Sequence, residues 1–334
     1  MSPDRDDDAR PSIAGSASDR GAEGGRSAAR RRRPDADVPP SLLLVDKPGG
    51  MTSHDVVAIA RRVLSVRKVG HAGTLDPMAT GLLVLGVGAA TRLLGHLAGS
   101  DKVYAATLRL GQSTVTDDRE GQVTHTTSAA GLTDDAVRAA VAGQVGALQQ
   151  VPSSVSAVKV DGRRSYDRVR AGEEVELAAR SVTVHAIDVH RLTRPTPDLV
   201  DVEVTVSCST GTYVRAIARD VGAALGVGGH LTALRRTSSG PFDTGQARPV
   251  EEAAGALGER GSGPGVLGLA DAARAVFPAR ELTAEEAVAL GYGQRVPATG
   301  TPGLHAAVAP DGRLVALVED DGRVARVAVG FPAP

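Results

Sequence analysis

The chain has 334 residues, 42% of them hydrophobic and 23% charged, with a formal net charge of −1. That is enough for one large core and a small second domain, and too near neutral for a uniformly basic nucleic-acid binder. A single cysteine, Cys208, excludes an internal disulfide and fits a reducing compartment; with no apolar run near the roughly 18 residues of a membrane span and no signal-like amino terminus, the expectation is a cytoplasmic protein with no membrane association.

Residues 1–40 alternate Asp6-Asp7-Asp8, a Gly/Ser/Ala-rich middle and Arg30-Arg31-Arg32-Arg33. With so few large apolar side chains nothing offsets the ordering entropy, and a disordered charged tail is expected. From Ser41 the pattern becomes mixed α/β. Leu42–Val45 reads as a buried strand, and Asp55–Leu64 as a helix with Val56, Val57, Ile59, Ala60, Val63 and Leu64 on its apolar side and Ser53 as its N-cap. Lys47-Pro48 lies in the loop between them.

The segment from Gly70 to Gly81 holds three glycines, Pro77 and a single carboxylate, Asp76. Pro77 biases Asp76 away from helical dihedrals, so the loop aims one side chain. Paired-carboxylate glycoside chemistry needs a second acid, and a metal site needs ligands this segment lacks. Covalent catalysis by a carboxylate remains. An Asp-Pro pair is also an ordinary Asx turn, and local chemistry alone favours that reading.

Val103–Leu110 alternates as a strand, with Tyr104, Ala106, Leu108 and Leu110 on one face. An aromatic at Tyr104 would ordinarily be core, yet the chain has only 4 Tyr, 3 Phe and no Trp, so any base-stacking surface must use very few rings. Val200, Val202, Val204 and Val206 alternate with Asp201, Glu203 and Thr205 in another strand, with Cys208 expected as a small core hydrophobe. A helix of about fourteen residues follows, with Thr212 as N-cap and Gly226 as its stop. Its apolar stripe is Val214, Ile217, Ala218 and Val221; Arg215 and Arg219 lie one turn apart on an adjoining face, Arg219 being expected at the surface beside Asp220 or another acid.

Residues 249–268, rich in Ala, Gly and Glu, read as a linker and domain boundary. Beyond it Thr283 and Glu286 make a capping box. Ala306–Ala309, Leu314–Val318 and Val324–Val329 read as strands joined by hairpins at Pro310-Asp311-Gly312 and Asp320-Asp321-Gly322. Charge is uneven along the chain: residues 41–250 carry 23 Lys and Arg against 20 Asp and Glu, residues 251–334 only 7 against 11. Basic clusters at Arg61-Arg62 with Arg67-Lys68, at Arg163-Arg164 with Arg168 and Arg170, and at Arg235-Arg236 can neutralise phosphates, or serve only as solvated faces.

Several segments occur in a telling order. They are Ser41–Ser53 with Asp46-Lys47-Pro48-Gly49-Gly50-Met51; the His71–Gly81 loop; Asp101-Lys102-Val103-Tyr104; Leu110-Gly111-Gln112; Val151-Pro152-Ser153 with Ser156-Ala157-Val158-Lys159; Gly162-Arg163-Arg164; Gly211-Thr212-Tyr213-Val214-Arg215; and Leu234-Arg235-Arg236. Over residues 41–245 the ordered set resembles the bacterial tRNA pseudouridine-55 synthases, the TruB family. Departures are Val155, where the family often has Tyr, and Ala72, where Thr is common.

The resemblance implies an α+β fold: a pseudouridine synthase domain over 41–248, with a mixed, mainly antiparallel central sheet and flanking helices, then a small β-rich, PUA-like domain over 269–334. It implies isomerisation of uridine-55 in the T-loop of tRNA, by base flipping and without a cofactor or metal. Asp76 would be the nucleophile, Arg215 its partner, and Tyr104 the ring against the uracil. His71 would stack in the T-loop, Tyr213 and Leu234 would contact substrate, and Lys47 would support the site. Arg163, Arg164, Arg235 and Arg236 are candidate phosphate contacts. An arginine within about 4–6 Å is expected to lower the Asp76 pKa and hold its geometry. The expected partner is the T-arm of tRNA, engaged by a monomer with no obligate protein partner. Alternatives are a tRNA-folding chaperone on the same scaffold, or a synthase acting at another RNA site.

Overall fold

The computed structural model describes residues 38–153, 159–160, 163–164 and 178–331. Of the tail expected over 1–40, residues 1–37 lie outside the described residues, and Val38 is not part of a tail but is buried in the main core. The chain runs β1 (Ser41–Lys47), α1 (Ser53–Leu64), β2 (Val69–His71), β3 (Thr80–Val87), a 3-10 turn (Gly88–Leu93), α2 (Leu94–Ala98), β4 (Lys102–Leu110), β5 (Gln112–Thr114) and β6 (Val123–Thr126). It continues through α3 (Asp134–Ala142), β7 (Gly146–Gln150), β8 (Lys159–Val160), β9 (Arg163–Arg164), β10 (Arg180–Thr196), β11 (Leu199–Cys208), α4 (Val214–Ala224), β12 (Gly229–Ser239), β13 (Phe242–Asp243), α5 (Val250–Arg260) and β14 (Val266–Gly268). The remainder is α6 (Leu269–Val276), β15 (Ala279–Glu281), α7 (Ala284–Gly291), β16 (Val296–Pro297), β17 (Gly303–Val308), β18 (Leu314–Asp320) and β19 (Val324–Gly330).

The main sheet has the order β14-β1-β3-β12-β4-β11-β10-β7, with β2 on β3 and β13 on β12. Its ladders are antiparallel except for the short parallel pairing of β12 with β3, so the expected mixed, mainly antiparallel sheet is what forms. β4 alternates as its sequence does, Tyr104, Ala106, Leu108 and Leu110 being buried. Those side chains meet Val56, Val57 and Ala60 of α1, Ile217 and Val221 of α4, and Ala253 and Leu257 of α5 in one large core. Tight contact positions α4: a Cβ on Gly222 would lie 2.2 Å from the Gly228 carbonyl carbon, so the helix rests on the backbone that enters β12.

Three sequence expectations change. The N-cap of α1 is Thr52, whose side chain accepts from the Asp55 amide while Asp55 reaches back to the Thr52 amide; Ser53 is buried and faces the Asp76 loop. The helix after Gly211 has 11 residues, with Tyr213 in the N-cap position and Gly226 in a positive-φ turn just beyond it (φ 72°). Residues 249–268 are not an open connection. They form α5, packed through Val250, Ala253, Ala254 and Leu257 into the main core, and β14, paired with β1.

The carboxy-terminal strands build a separate sheet, β15-β17-β18-β19-β16, with α7 started by the anticipated Thr283–Glu286 capping box. One face of this sheet contributes Ala306, Val308, Leu314 and Leu317 to a core shared with Leu42, Leu44, Leu82 and Val84 of β1 and β3. The β-rich domain therefore packs directly against the back of the strands that carry the Asp76 loop.

Candidate active site

The loop between β2 and β3 is fixed from beneath. Ser53 Oγ accepts from the Leu75 amide at 2.9 Å and lies 3.2 Å from the Leu75 carbonyl oxygen. Lys47 Nζ donates to the Met51, Pro48 and Pro77 carbonyls at 2.7, 2.9 and 3.3 Å. Burial pushes the Lys47 ammonium down to about 8, against the opposing pull of Asp76. Leu75 and Met78 are buried on either side of Asp76-Pro77. A loop anchored at 75, 77 and 78 leaves Asp76 to project alone.

Asp76 meets Arg215 of α4. Nη2 donates to Oδ1 at 3.1 Å and Nε lies 3.0 Å from Oδ2, the two-pronged grip that a guanidinium's planar fork allows. The same guanidinium donates through Nη1 to the Thr116 carbonyl at 2.9 Å and reaches Asp118 Oδ2 at 3.3 Å. Arg215 is thus shared between two acids. Asp118 was not anticipated: within the chain Asp76 has no acidic neighbour, and only the β5–β6 turn brings a second carboxylate to its arginine. The signal was the adjacent pair Asp117-Asp118 in that turn. Asp117 takes a left-handed conformation (φ 57°) and is held by Arg219 of α4 at 3.3 Å, which also pairs with Asp220 at 2.9 Å.

The carboxyl of Asp76 is pushed above its ordinary value, chiefly by burial, with Asp118 adding to the rise and Arg215 and Lys47 opposing it. This reverses the expectation that Arg215 would set a lowered value. Although water reaches 33% of the side chain, protein encloses the rest, and desolvation of the charged form outweighs one shared cation.

Asp76 opens into a cleft of about 300 Å³ that is also lined by Tyr104, Tyr213, Arg215, Leu234 and Arg236. Tyr104 is 9% exposed, and burial raises its phenol above the usual range while Arg236, hydrogen-bonded to it, opposes the rise. The Tyr213 amide donates to Gln150 Oε1 at 2.7 Å. Leu234 separates this cleft from a second cavity of about 340 Å³ that reaches Met78, Arg119 and Arg235.

The remaining candidates divide. Arg235 makes a two-pronged pair with Asp46, at 2.9 and 2.8 Å. Arg236 is 1% exposed, its guanidinium donating to the Leu82 carbonyl at 2.7 Å and the Gly73 carbonyl at 3.1 Å, so it reaches the cleft from inside the protein and not from an open surface. A Cβ on Gly81 would fall 2.2 Å from the Arg236 carbonyl oxygen, at φ 98°, which is how β3 and β12 come close enough to place Arg236 beneath the loop. His71 is half-buried on β2, outside the cleft lining, with its ring edge-on to His54 at 5.6 Å. The side chains of Arg163 and Arg164 lie outside the described residues. No group of metal-ligating side chains occurs among the described residues.

A carboxylate gripped by arginine beside a buried tyrosine, over a mainly antiparallel sheet, is the arrangement that the sequence resemblance implies. The fold is shared with solved structures: one titled as an H/ACA RNP bound to a substrate RNA containing 2′-deoxyuridine (TM-score 0.65, 23% identity, 89% of this chain and 87% of that one), and one titled as a Cbf5-Nop10-Gar1 complex (TM-score 0.64, 26% identity, 87% and 85%). Residues 61–214 match the model of the TruB family pseudouridylate synthase N-terminal domain, residues 215–258 that of a tRNA pseudouridylate synthase B C-terminal domain, and residues 277–332 that of the tRNA pseudouridine synthase II C-terminal region. Proteins named tRNA pseudouridine synthase B from Paenarthrobacter aurescens and Arthrobacter sp. are 55% and 56% identical, each over 87% of this chain and over 94% and 96% of their own lengths. One from Mycolicibacterium paratuberculosis is 53% identical over 88% of this chain and 99% of its own. The chain belongs to the TruB family.

Proposed function

We infer that this protein isomerises uridine-55 in the T-loop of tRNA to pseudouridine. The observation that carries the reading is the Asp76 carboxylate gripped by buried Arg215 in a cleft it shares with Tyr104 and Leu234, in a chain whose relatives bear the name tRNA pseudouridine synthase B. The target uridine is stacked within a folded loop, so it must be extruded into the cleft at a cost of a few kcal/mol. Stacking on an aromatic returns about 1–3 kcal/mol, and Tyr104 is the ring in place to supply it, with Leu234 as an apolar neighbour.

Ionised Asp76 attacks the nucleoside, at uracil C6 or ribose C1′. The N1–C1′ bond breaks, the base rotates, the C5–C1′ bond forms, the bond between the nucleoside and Asp76 breaks to return the free carboxylate, and C5 loses its proton while N1 regains one. Product and substrate are isomers, so the reaction consumes no oxidant, reductant or co-substrate. Arg215 keeps the carboxylate aimed; Tyr104, neutral at physiological pH by the direction of its shift, holds the base and stands ready in the proton transfer at C5. No described helix is long and apolar enough to cross a membrane. The reading takes tRNA as the partner of a monomer that works in the cytoplasm.

Tritium release from tRNA transcripts labelled at uracil C5 tests the reading directly. Wild-type protein is expected to release tritium stoichiometrically with position 55. Release must vanish for Asp76→Asn and for a transcript with cytidine at that position. Tight tRNA binding with no release from wild type overturns it.

A further inference from the structure

Two buried cations that line the cleft have no carboxylate partner among the described residues. Lys102, at the start of β4, is 5% exposed and Arg236 is 1% exposed, and both line the cleft with Asp76. Lys102 Nζ donates to the Ala98 carbonyl at 2.7 Å and to the Ser100 carbonyl; the hydrogen-bond partners of Arg236 are the Leu82 and Gly73 carbonyls and the Tyr104 phenol. Carbonyl dipoles satisfy N–H groups but leave a whole positive charge on each side chain. The acid next to Lys102 in sequence, Asp101, turns outward to His185 at 3.1 Å.

Buried charges are ordinarily paired, because an unpaired one loses its hydration without return. This protein follows that rule elsewhere: Arg215 has Asp76 and Asp118, and Arg280 has Glu286 at 2.7 Å. Burial has already lowered the Lys102 ammonium to about 8, with nearby Arg236 adding to the drop. Arg180, exposed at the mouth of the same cleft, brings a third cation. Asp76 is the one acid among the described lining residues, and it is already gripped by Arg215. An anion from outside is what these cations lack.

Resting on the reading of a flipped uridine as substrate, we propose that Lys102 and Arg236, with Arg180 at the mouth, form the seat for a backbone phosphodiester of the extruded nucleotide. Asp76 and these cations then hold one nucleotide together, the glycosidic centre against the carboxylate and a flanking phosphate against the ammonium and guanidinium. Tyr104 links them, hydrogen-bonded to Arg236 and within electrostatic reach of Asp76. The arrangement favours a nucleotide inside the cleft over a free base, and it ties extrusion of the base to a charge the interior otherwise leaves uncompensated.

The test uses T-arm hairpin RNAs in which the phosphate 5′ or 3′ of the target uridine is replaced by an uncharged methylphosphonate, with the same replacement in the distal stem as a control. Binding is measured by fluorescence anisotropy to Asp76→Asn protein at fixed salt, so that turnover does not intervene. One of the two flanking replacements is expected to weaken binding about tenfold, as loss of a charge-assisted contact does. Adding Lys102→Met should make that penalty nearly vanish, while the distal control behaves alike in both proteins. The proposal is overturned if neither flanking replacement weakens binding more than about twofold, or if the penalty is unchanged by Lys102→Met. Should Lys102→Met fail to fold, Arg180→Ala at the exposed mouth serves in the same cycle. A wild type that forms no pseudouridine from the unmodified hairpin fails the functional reading separately, since the phosphate test reads binding alone.

Discussion

Replacing Arg215 by lysine keeps the charge and removes the fork. The guanidinium places Nη2 and Nε against the two oxygens of Asp76 at 3.1 and 3.0 Å, and Nη1 against Asp118 and the Thr116 carbonyl at 3.3 and 2.9 Å. A lysine ammonium at the same helix position is a single point; it can face one carboxylate and must abandon the other. A lysine turned to Asp76 keeps one contact and loses the second prong, at about 1.5–3 kcal/mol of carboxylate positioning. At about 1.36 kcal/mol per factor of ten, single-turnover tritium release should fall by about 10- to 100-fold. Affinity for tRNA should change little, because Arg215 is 4% exposed and lies beneath the nucleophile. Release within threefold of wild type, with Arg215→Lys fully folded by thermal melting, would refute the view that two-pronged geometry and not charge alone is what Arg215 supplies.

Asp76→Asn should abolish tritium release and yet melt at the same temperature as wild type or higher near neutral pH. The carboxyl is raised in the folded state, so the native protein binds its proton more tightly than the unfolded chain does. That stability is present below the ordinary carboxylate value and is lost as pH rises through the folded one, and asparagine removes the loss; a clearly lower Tm for Asp76→Asn would contradict it. The same shift places the acid limb of wild-type activity above the ordinary carboxylate range, which a pH–rate profile measures. Gly81→Ala sets a Cβ 2.2 Å from the Arg236 carbonyl oxygen at φ 98° and should destabilise by about 3 kcal/mol or more, read as a shifted denaturant midpoint. Ser53→Ala leaves the buried Leu75 amide without its acceptor, at about 1–3 kcal/mol, and should lower kcat with tRNA affinity unchanged, because only the loop carrying Asp76 loosens.

Strong periodicity made much of this fold legible. Alternation marked β4 and β11, the capping box marked α7, and two Asp-Gly turns marked the carboxy-terminal hairpins, because each signal is local and the chain obeys it. The hidden element was α5. Its stripe is built largely from Ala253, Ala254 and Ala256 around Val250 and Leu257, and small residues that let a helix sit close to α1 and β1 resemble a linker when composition alone is read. Ser53 misled for a related reason. A serine beside a helix start is a good cap in isolation, but a better reciprocal pair exists at Thr52 and Asp55, freeing Ser53 for a tertiary contact that no local pattern encodes. The site shows the same limit: Asp76 and Arg215 lie 139 positions apart and only family resemblance joins them in the sequence, while the adjacent Asp117-Asp118 pair marks an acidic turn without saying which arginine it would share.

The upward shift of Asp76 changes what its arginine is for. Were Arg215 there to guarantee ionisation, the carboxyl should sit below its ordinary value, and sharing the guanidinium with Asp118 would be counterproductive. Burial instead raises it, and an ionised carboxylate whose protonated form is favoured holds its electron pair less securely and attacks carbon more readily, as nucleophilicity rises with basicity. The cost of holding that charge in a partly dry cleft is moderated, not cancelled, by a cation divided between two acids. On the proposed mechanism, Arg215 is an aiming device whose hold is limited by Asp118: removing Asp118 as Asp118→Asn should let Arg215 bind Asp76 more tightly, lower its carboxyl and slow the proposed attack even though Asp76 itself is untouched. A pH–rate profile separates the cases, since the acid limb must move to lower pH as the plateau falls; a lower plateau with an unmoved limb would mean that Asp118 acts only by holding Arg215 in place.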